Sequence, residues 1–183
     1  LLPFLTRQFT TSEYGTIDII VTLSSLLALF ITVSLENTVM RFWNESKKVN
    51  KQSELFSGTL LLVFSLGIIV CSIVYIFSEF LSDLLLQDST YWEYIFLGAL
   101  SALFMAGNSV PLATLRMRRR IIAYNVINII QSISYVGLAI LLIIGYKFSV
   151  EGVFLAFVFS HFISFIIGIN FNSAFVTTNI TWA

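Results

Sequence analysis

The chain has 183 residues, of which 57% are hydrophobic and only 11% charged, and its mean hydropathy is +0.92. Soluble domains are roughly half apolar and about a quarter charged, so this composition argues against an ordinary soluble domain. Ten basic residues balance ten acidic ones, and zero net charge excludes the broad basic field that nucleic-acid binding requires.

The apolar residues fall in blocks of about twenty or more, the length at which a helix crosses a hydrocarbon core of roughly 30 Å. Leu1–Leu5 is expected to be the end of a first helix. Five full spans are expected at Ile17–Met40, Leu55–Phe80, Tyr94–Leu115, Ile121–Tyr146 and Val150–Phe171. The blocks are long and continuous, not ten-residue alternations, which selects helices over barrel strands. The expected fold class is therefore all-α, a polytopic transmembrane helical bundle. Residues 1–172 would form the bundle and 173–183 a cytoplasmic tail. Trp43, Tyr91, Trp92, Tyr94, Tyr124 and Tyr146 at span ends suit the membrane interface.

The loops sort by charge. Arg41, Lys47, Lys48 and Lys51 fall in one loop, and Arg116, Arg118, Arg119 and Arg120 in another. The intervening loops hold only Arg7 and Lys147 among basic residues, beside Glu13, Glu79, Asp83, Asp88, Glu93 and Glu151. Eight of the ten cations thus alternate onto one side, and the positive-inside rule makes loops 41–54 and 116–120 cytoplasmic.

Polar residues recur within the spans at helical spacing, which gathers them on faces. Asp18, Thr22, Ser25, Thr32 and Glu36 form one stripe, and Asn125, Asn128, Gln131, Ser132 and Tyr135 another. Gly58, Ser65, Ser72 and Glu79 form a third, and His161, Ser164, Gly168 and Asn172 a fourth. Hydrocarbon satisfies none of these groups, so each stripe meets another helix or water. The serine and glycine stripe from Gly58 is expected to pack against a neighbouring helix. The stripes carrying amides and carboxylates are expected to line a wet cavity. Glu36 or Asn37 is expected to contact Arg41, and His161, near mid-span, to be a neutral imidazole bonded to a neighbouring helix. Asn108 and Pro111 are expected to interrupt their span, since proline removes a backbone donor and kinks helices.

Cys71 stands alone in an apolar block and reads as packing. The sequons at Asn44 and Asn179 fall on the cytoplasmic side and carry no expectation. There is no Gly-rich phosphate loop, metal-ligand spacing or nucleophile–base set. No cofactor, metal or enzymatic activity is expected.

Leu2-Pro3-Phe4-Leu5-Thr6-Arg7 followed by Thr11-Ser12-Glu13-Tyr14-Gly15 resembles the first-helix exit and outer loop of polysaccharide-export flippases of the Wzx (O-antigen) type, within the multidrug/oligosaccharidyl-lipid/polysaccharide superfamily. Val39-Met40-Arg41-Phe42, Pro111 with Arg116, and Glu151-Gly152-Val153 are similar to that family's pattern. The resemblance runs to about Phe171 and implies one lobe of a two-lobe, alternating-access transporter, with a second six-helix lobe as partner. It implies a bacterial plasma membrane and a polyprenyl-diphosphate-linked oligosaccharide as substrate. The residues expected to meet that substrate are Arg41, Arg116, Asn37, Asn125, Asn128, Gln131 and His161, with membrane lipids around the bundle. Two other functions fit the same residues: a cation-coupled drug exporter, which needs an acidic cavity, and a non-transporting scaffold, which needs dry polar faces.

Overall fold

The structure, a computed structural model, describes residues 8–33 and 35–177. The first-helix remnant, the Leu2–Arg7 part of the family-like motif and the Asn179 sequon lie outside the described residues. Within them the chain is helical and contains no strand. The elements are α1 (Thr11–Thr32), α2 (Leu35–Lys48), α3 (Gln52–Ile76), α4 (Ser78–Leu86), α5 (Trp92–Met117), α6 (Ile121–Ile140) and α7 (Val150–Phe171). Five helical stretches are long and apolar enough to cross a membrane: Thr11–Lys48, Gln52–Ile76, Ser89–Met117, Ile121–Gly145 and Val150–Phe171.

Three spans are less simple than expected. The expected continuous helix Ile17–Met40 is broken after Thr32, where Val33 takes a left-handed conformation (φ 41°, ψ 40°) and its N–H donates to Leu29 O. The expected Leu55–Phe80 helix stops at Ile76, and a separate α4 starts at Ser78. The last turn of the Ile121 span is wound as a π-helix over Leu141–Gly145. In contrast to the expected interruption, α5 runs unbroken through Asn108 and Pro111, as membrane-type helices commonly tolerate proline.

Helix α5 is the axis of the bundle. It packs on α1, α2, α3 and α7, while α6 leans mainly on α7. Accordingly, 61% of the apolar stretch of the α5 span is buried inside the molecule, against 11% for the α6 span. Two apolar cores are stacked along α5. One joins Ile17, Ile20, Cys71, Ile95 and Phe154; the other joins Ala28, Val39, Trp43, Phe56 and Val110. Small residues set the close approaches, letting helix backbones come near one another. A Cβ on Gly98 would stand 2.8 Å from Ile20 Cγ2, and one on Gly168 would stand 3.0 Å from Pro111 Cβ.

Helix ends are closed by local chemistry. Thr10 and Glu13 form a reciprocal capping box at the start of α1: Glu13 N donates to Thr10 Oγ1, and Thr10 N donates to Glu13 Oε2 at 2.8 Å. Helix α5 ends in a Schellman motif, with Arg120 N donating to Leu115 O and Arg119 N to Arg116 O, both at 3.0 Å. Arg119 holds the left-handed position (φ 56°) that glycine usually takes. The residues that follow α7 dock on the bundle. Phe175 packs edge-on against Trp43 at 5.2 Å. Ser57 Oγ donates to Phe175 O and accepts from Thr177 N.

Candidate functional site

The four polar stripes have separate fates. That of α7 is internal: His161, Ser164, Gly168 and Asn172 are all buried. Asn108 Nδ2 donates to Ser164 Oγ at 2.7 Å. Asn172 Nδ2 donates to Gly168 O at 2.9 Å and to Pro111 O at 3.3 Å. Asn172 Oδ1 accepts from Arg118 Nη1 at 3.2 Å. Among the described residues, Asn108 Oδ1 is buried without a hydrogen-bond partner, facing the place where Gly168 has no side chain. This stripe is a packed seam between α5 and α7.

The α3 stripe corrects an expectation. Gly58 is buried, but Ser65 and Ser72 are exposed and donate to carbonyls of their own helix, Leu61 O and Ile68 O. The buried face of α3 instead runs through Phe56, Thr59, Val63, Gly67, Cys71 and Val74. Those residues fill the groove against α5, and Cys71 Sγ donates to Ala99 O at 3.3 Å.

The first part of the α1 stripe turns away from the bundle. Asp18 and Thr22 are exposed and Ser25 and Thr32 half-buried, whereas the packed face carries Ile17, Ile20, Ser24, Ala28 and Ile31. The later part of the stripe, Ser25 and Thr32 before the break at Val33 and Glu36 beyond it, does face the bundle: with Asn37 and Ser109 it lines a cavity of about 240 Å³. Helix α2 brings Glu36 and Asn37 to it, and α5 brings Ser109.

Glu36 does not pair with Arg41. Its Oε2 lies 3.4 Å from Arg116 Nη2 across the α2–α5 boundary, with both side chains partly exposed. Positions 36 and 41 differ by about 140° around a helix of 3.6 residues per turn, so Arg41 points elsewhere. Arg41 is exposed, its guanidinium 5.5 Å from the Phe42 ring. It stands one turn beyond Asn37 on the same face of α2, and is not among the residues that line the cavity. Asn37 and Arg41 form no hydrogen bond with each other among the described residues. Arg116 also lies over the Tyr124 ring at 5.6 Å, which links the cavity wall to α6.

The α6 stripe is divided. Asn125 and Ser132 are exposed, and Asn128 Nδ2 donates to Tyr124 O at 3.0 Å. Gln131 Nε2 lies 3.0 Å from His161 Nδ1. It also lies 3.3 Å from His161 Nε2, so the imidazole is bonded to a neighbouring helix as expected from the sequence. Phe157 packs edge-on against the same ring at 4.7 Å. Gln131 and His161 thus tie α6 to α7, away from the cavity holding Asn37. Of the seven candidate residues, only Asn37 lines the cavity; Arg116 reaches it through its pair with the lining residue Glu36, and Arg41 lies one turn further along α2. Asn125 and Asn128 form a second, outward polar face.

Sequence reasoning missed Ser109 and Phe175. Ser109 is a single hydroxyl beside Asn108 and carries no periodic signal; Phe175 lies past the last apolar block. Comparison with protein-family models, curated proteins and solved structures gives no match to this chain.

Proposed function

We propose that the chain is a membrane-embedded transporter lobe that carries a polyprenyl-diphosphate-linked oligosaccharide from the cytoplasmic to the outer leaflet by alternating access. The observation that carries this reading is the outward polar face. Asp18, Thr22, Asn125 and Ser132 are exposed on α1 and α6 among exposed aliphatics such as Ile19, Leu26, Ile129 and Ile133. Among the described residues Asp18, Thr22 and Asn125 have no side-chain hydrogen-bond partner, and hydrocarbon supplies none, so in this reading these faces meet water or a second lobe. The family-like motifs supply the substrate class, and the alternation of cations supplies the orientation.

The residues have distinct parts in this reading. Arg41, exposed one turn beyond Asn37, attracts the diphosphate from the cytoplasm, because a guanidinium fork matches phosphate oxygens. Arg116 is already offset by Glu36, so the incoming diphosphate takes Arg116 from the carboxylate. Asn37, Asn125 and Asn128 meet sugar hydroxyls. Gln131 and His161 hold α6 on α7 so that both move together. The lipid tail stays in the bilayer.

The test is export in the native host from the complete coding sequence, at matched membrane levels. Arg41→Glu is expected to lower the appearance of glycan on the outer leaflet at least about tenfold, the loss of roughly 1.4 kcal/mol of phosphate attraction. Unchanged export sinks the reading.

The Glu36 carboxylate on the cavity wall favours one rival, export of an organic cation. In that case Glu36→Gln abolishes transport while Arg41→Glu spares it, the reverse of the pattern expected here.

A further inference from the structure

Two cavities meet at the α5–α6 turn. The first, about 550 Å³, is a bowl between the ends of α2 and α5, lined by Lys47, Arg118, Arg119 and Arg120 with Trp43 and Phe175 at its base. Among the described residues, no carboxylate lines it, and Lys47, Arg119 and Arg120 form no ion pair. Arg118 is fixed in place: Nη1 donates to Phe171 O at 3.3 Å, and its guanidinium lies 4.7 Å over the Phe175 ring. Desolvation, together with the neighbouring Arg120 charge, holds its pKa below the ordinary arginine value.

The second cavity is also about 550 Å³ and shares Arg119 and Arg120 with the first. Its other walls are apolar, among them Ile121, Ile122, Val126 and Phe171. Ile122 is 82% exposed and Ile121 67%. Each volume is within the roughly 300–1,000 Å³ of small-molecule clefts. A cationic bowl continuous with an apolar groove, joined by two shared arginines, fits a molecule with an anionic head and a hydrocarbon chain.

We infer that this double cavity binds one anionic glycerophospholipid of the inner leaflet, its phosphodiester among Lys47 and Arg118–Arg120 and an acyl chain along Ile122 and Val126. Charge complementarity selects the anionic head, since basic pockets at the cytoplasmic ends of spans hold such headgroups. The apolar groove selects a lipid over a free phosphate. Arg119 supports the assignment: it occupies a left-handed position, at φ 56°, where glycine carries no steric cost. The cation is present despite the backbone conformation. The inference rests on membrane embedding and on the cytoplasmic placement of this turn, and is independent of transport.

The experiment uses the purified chain in neutral detergent, with lipid binding read by native mass spectrometry. Phosphatidylglycerol is expected to bind at least about tenfold more tightly than phosphatidylcholine of the same chains. Arg119→Gly with Arg120→Gln is expected to erase that preference without lowering the melting temperature, because glycine suits the turn. Ile122→Ser is expected to weaken both lipids. Equal affinity for the two lipids overturns the inference, as does a preference that survives the double substitution. It is also overturned if inorganic phosphate raises the melting temperature as much as phosphatidylglycerol does. An alkaline carbonate wash separates the two levels: a chain that leaves the membrane fraction refutes embedding, whereas a retained chain without lipid preference refutes only the site.

Discussion

Asn108, Ser164 and Asn172 at the α5–α7 seam and Asn125, Asn128 and Ser132 on α6 are the same kinds of side chain at similar helical spacing. The first set is buried and bonded across helices. The second is exposed or half-exposed, and Asn128 and Ser132 bond within their own helix, to Tyr124 O and Asn128 O. What separates them is the company of small and rigid residues. Gly168 and Pro111 let the seam close to backbone distance, whereas large aliphatics flank the α6 amides. Polarity at a given period therefore predicts a face; the volume of the neighbours decides whether that face is packed or left exposed.

Solvent access tests the two sets against each other most directly. In a Cys71→Ala background, Ser132→Cys is expected to react readily with a water-soluble maleimide, while Ser164→Cys stays unmodified until unfolding. Thiol reactivity follows exposure and thiolate formation. Equal labelling of the two positions would erase the distinction.

Next in size is Gly168→Leu. A side chain there runs into Pro111 Cβ and Cγ, atoms of a rigid ring that cannot give way, so α5 and α7 must separate, at a cost of about 3 kcal/mol. A melt in detergent measures it. Gly137→Leu on α6 is expected to be near neutral by comparison, since a Cβ added there meets nothing within 4 Å. Asn108→Ala removes the donor to Ser164 and the unpartnered Oδ1 together. The loss is expected to be about 1 kcal/mol, the scale of interhelical hydrogen bonds in membranes. Smaller still is Glu36→Gln: its pair with Arg116 is partly exposed, so a double-mutant cycle is expected to give less than about 1 kcal/mol.

The smallest effect is at the α4–α5 corner. Asp88 Oδ1 accepts from Thr90 N at 2.9 Å and Thr90 Oγ1 at 2.7 Å, which holds its pKa below the ordinary aspartate value. A depressed folded pKa makes the contribution present above the unfolded value and lost as pH falls through the folded one. Thr90 amide exchange is therefore expected to gain an opening contribution only in strongly acidic solution.

Much of the architecture was legible because span length and charge alternation are additive properties of a sequence. The α7 boundaries, Val150–Phe171, coincide with the expected ones. Backbone breaks were not legible. Val33 and Arg119 adopt left-handed conformations without the glycine that normally signals them, and a hydropathy window is blind to φ. The Glu36–Arg116 pair was hidden because it joins residues eighty positions apart, while the sequence offered a nearer arginine at 41. The docking of Phe175 was hidden because a polar segment after the last span resembles a loop until Trp43 and Ser57 are placed beside it.

Val33 also bears on the shape of the first span. A β-branched residue at positive φ stores roughly 1–3 kcal/mol, and it persists only while something outside the bend holds it. Here the restraint is the seating of Val39 and Trp43 in the second core. The Thr11–Lys48 span is thus a bent element, and the conformational cost at its bend is offset by the packing of α2 beyond it.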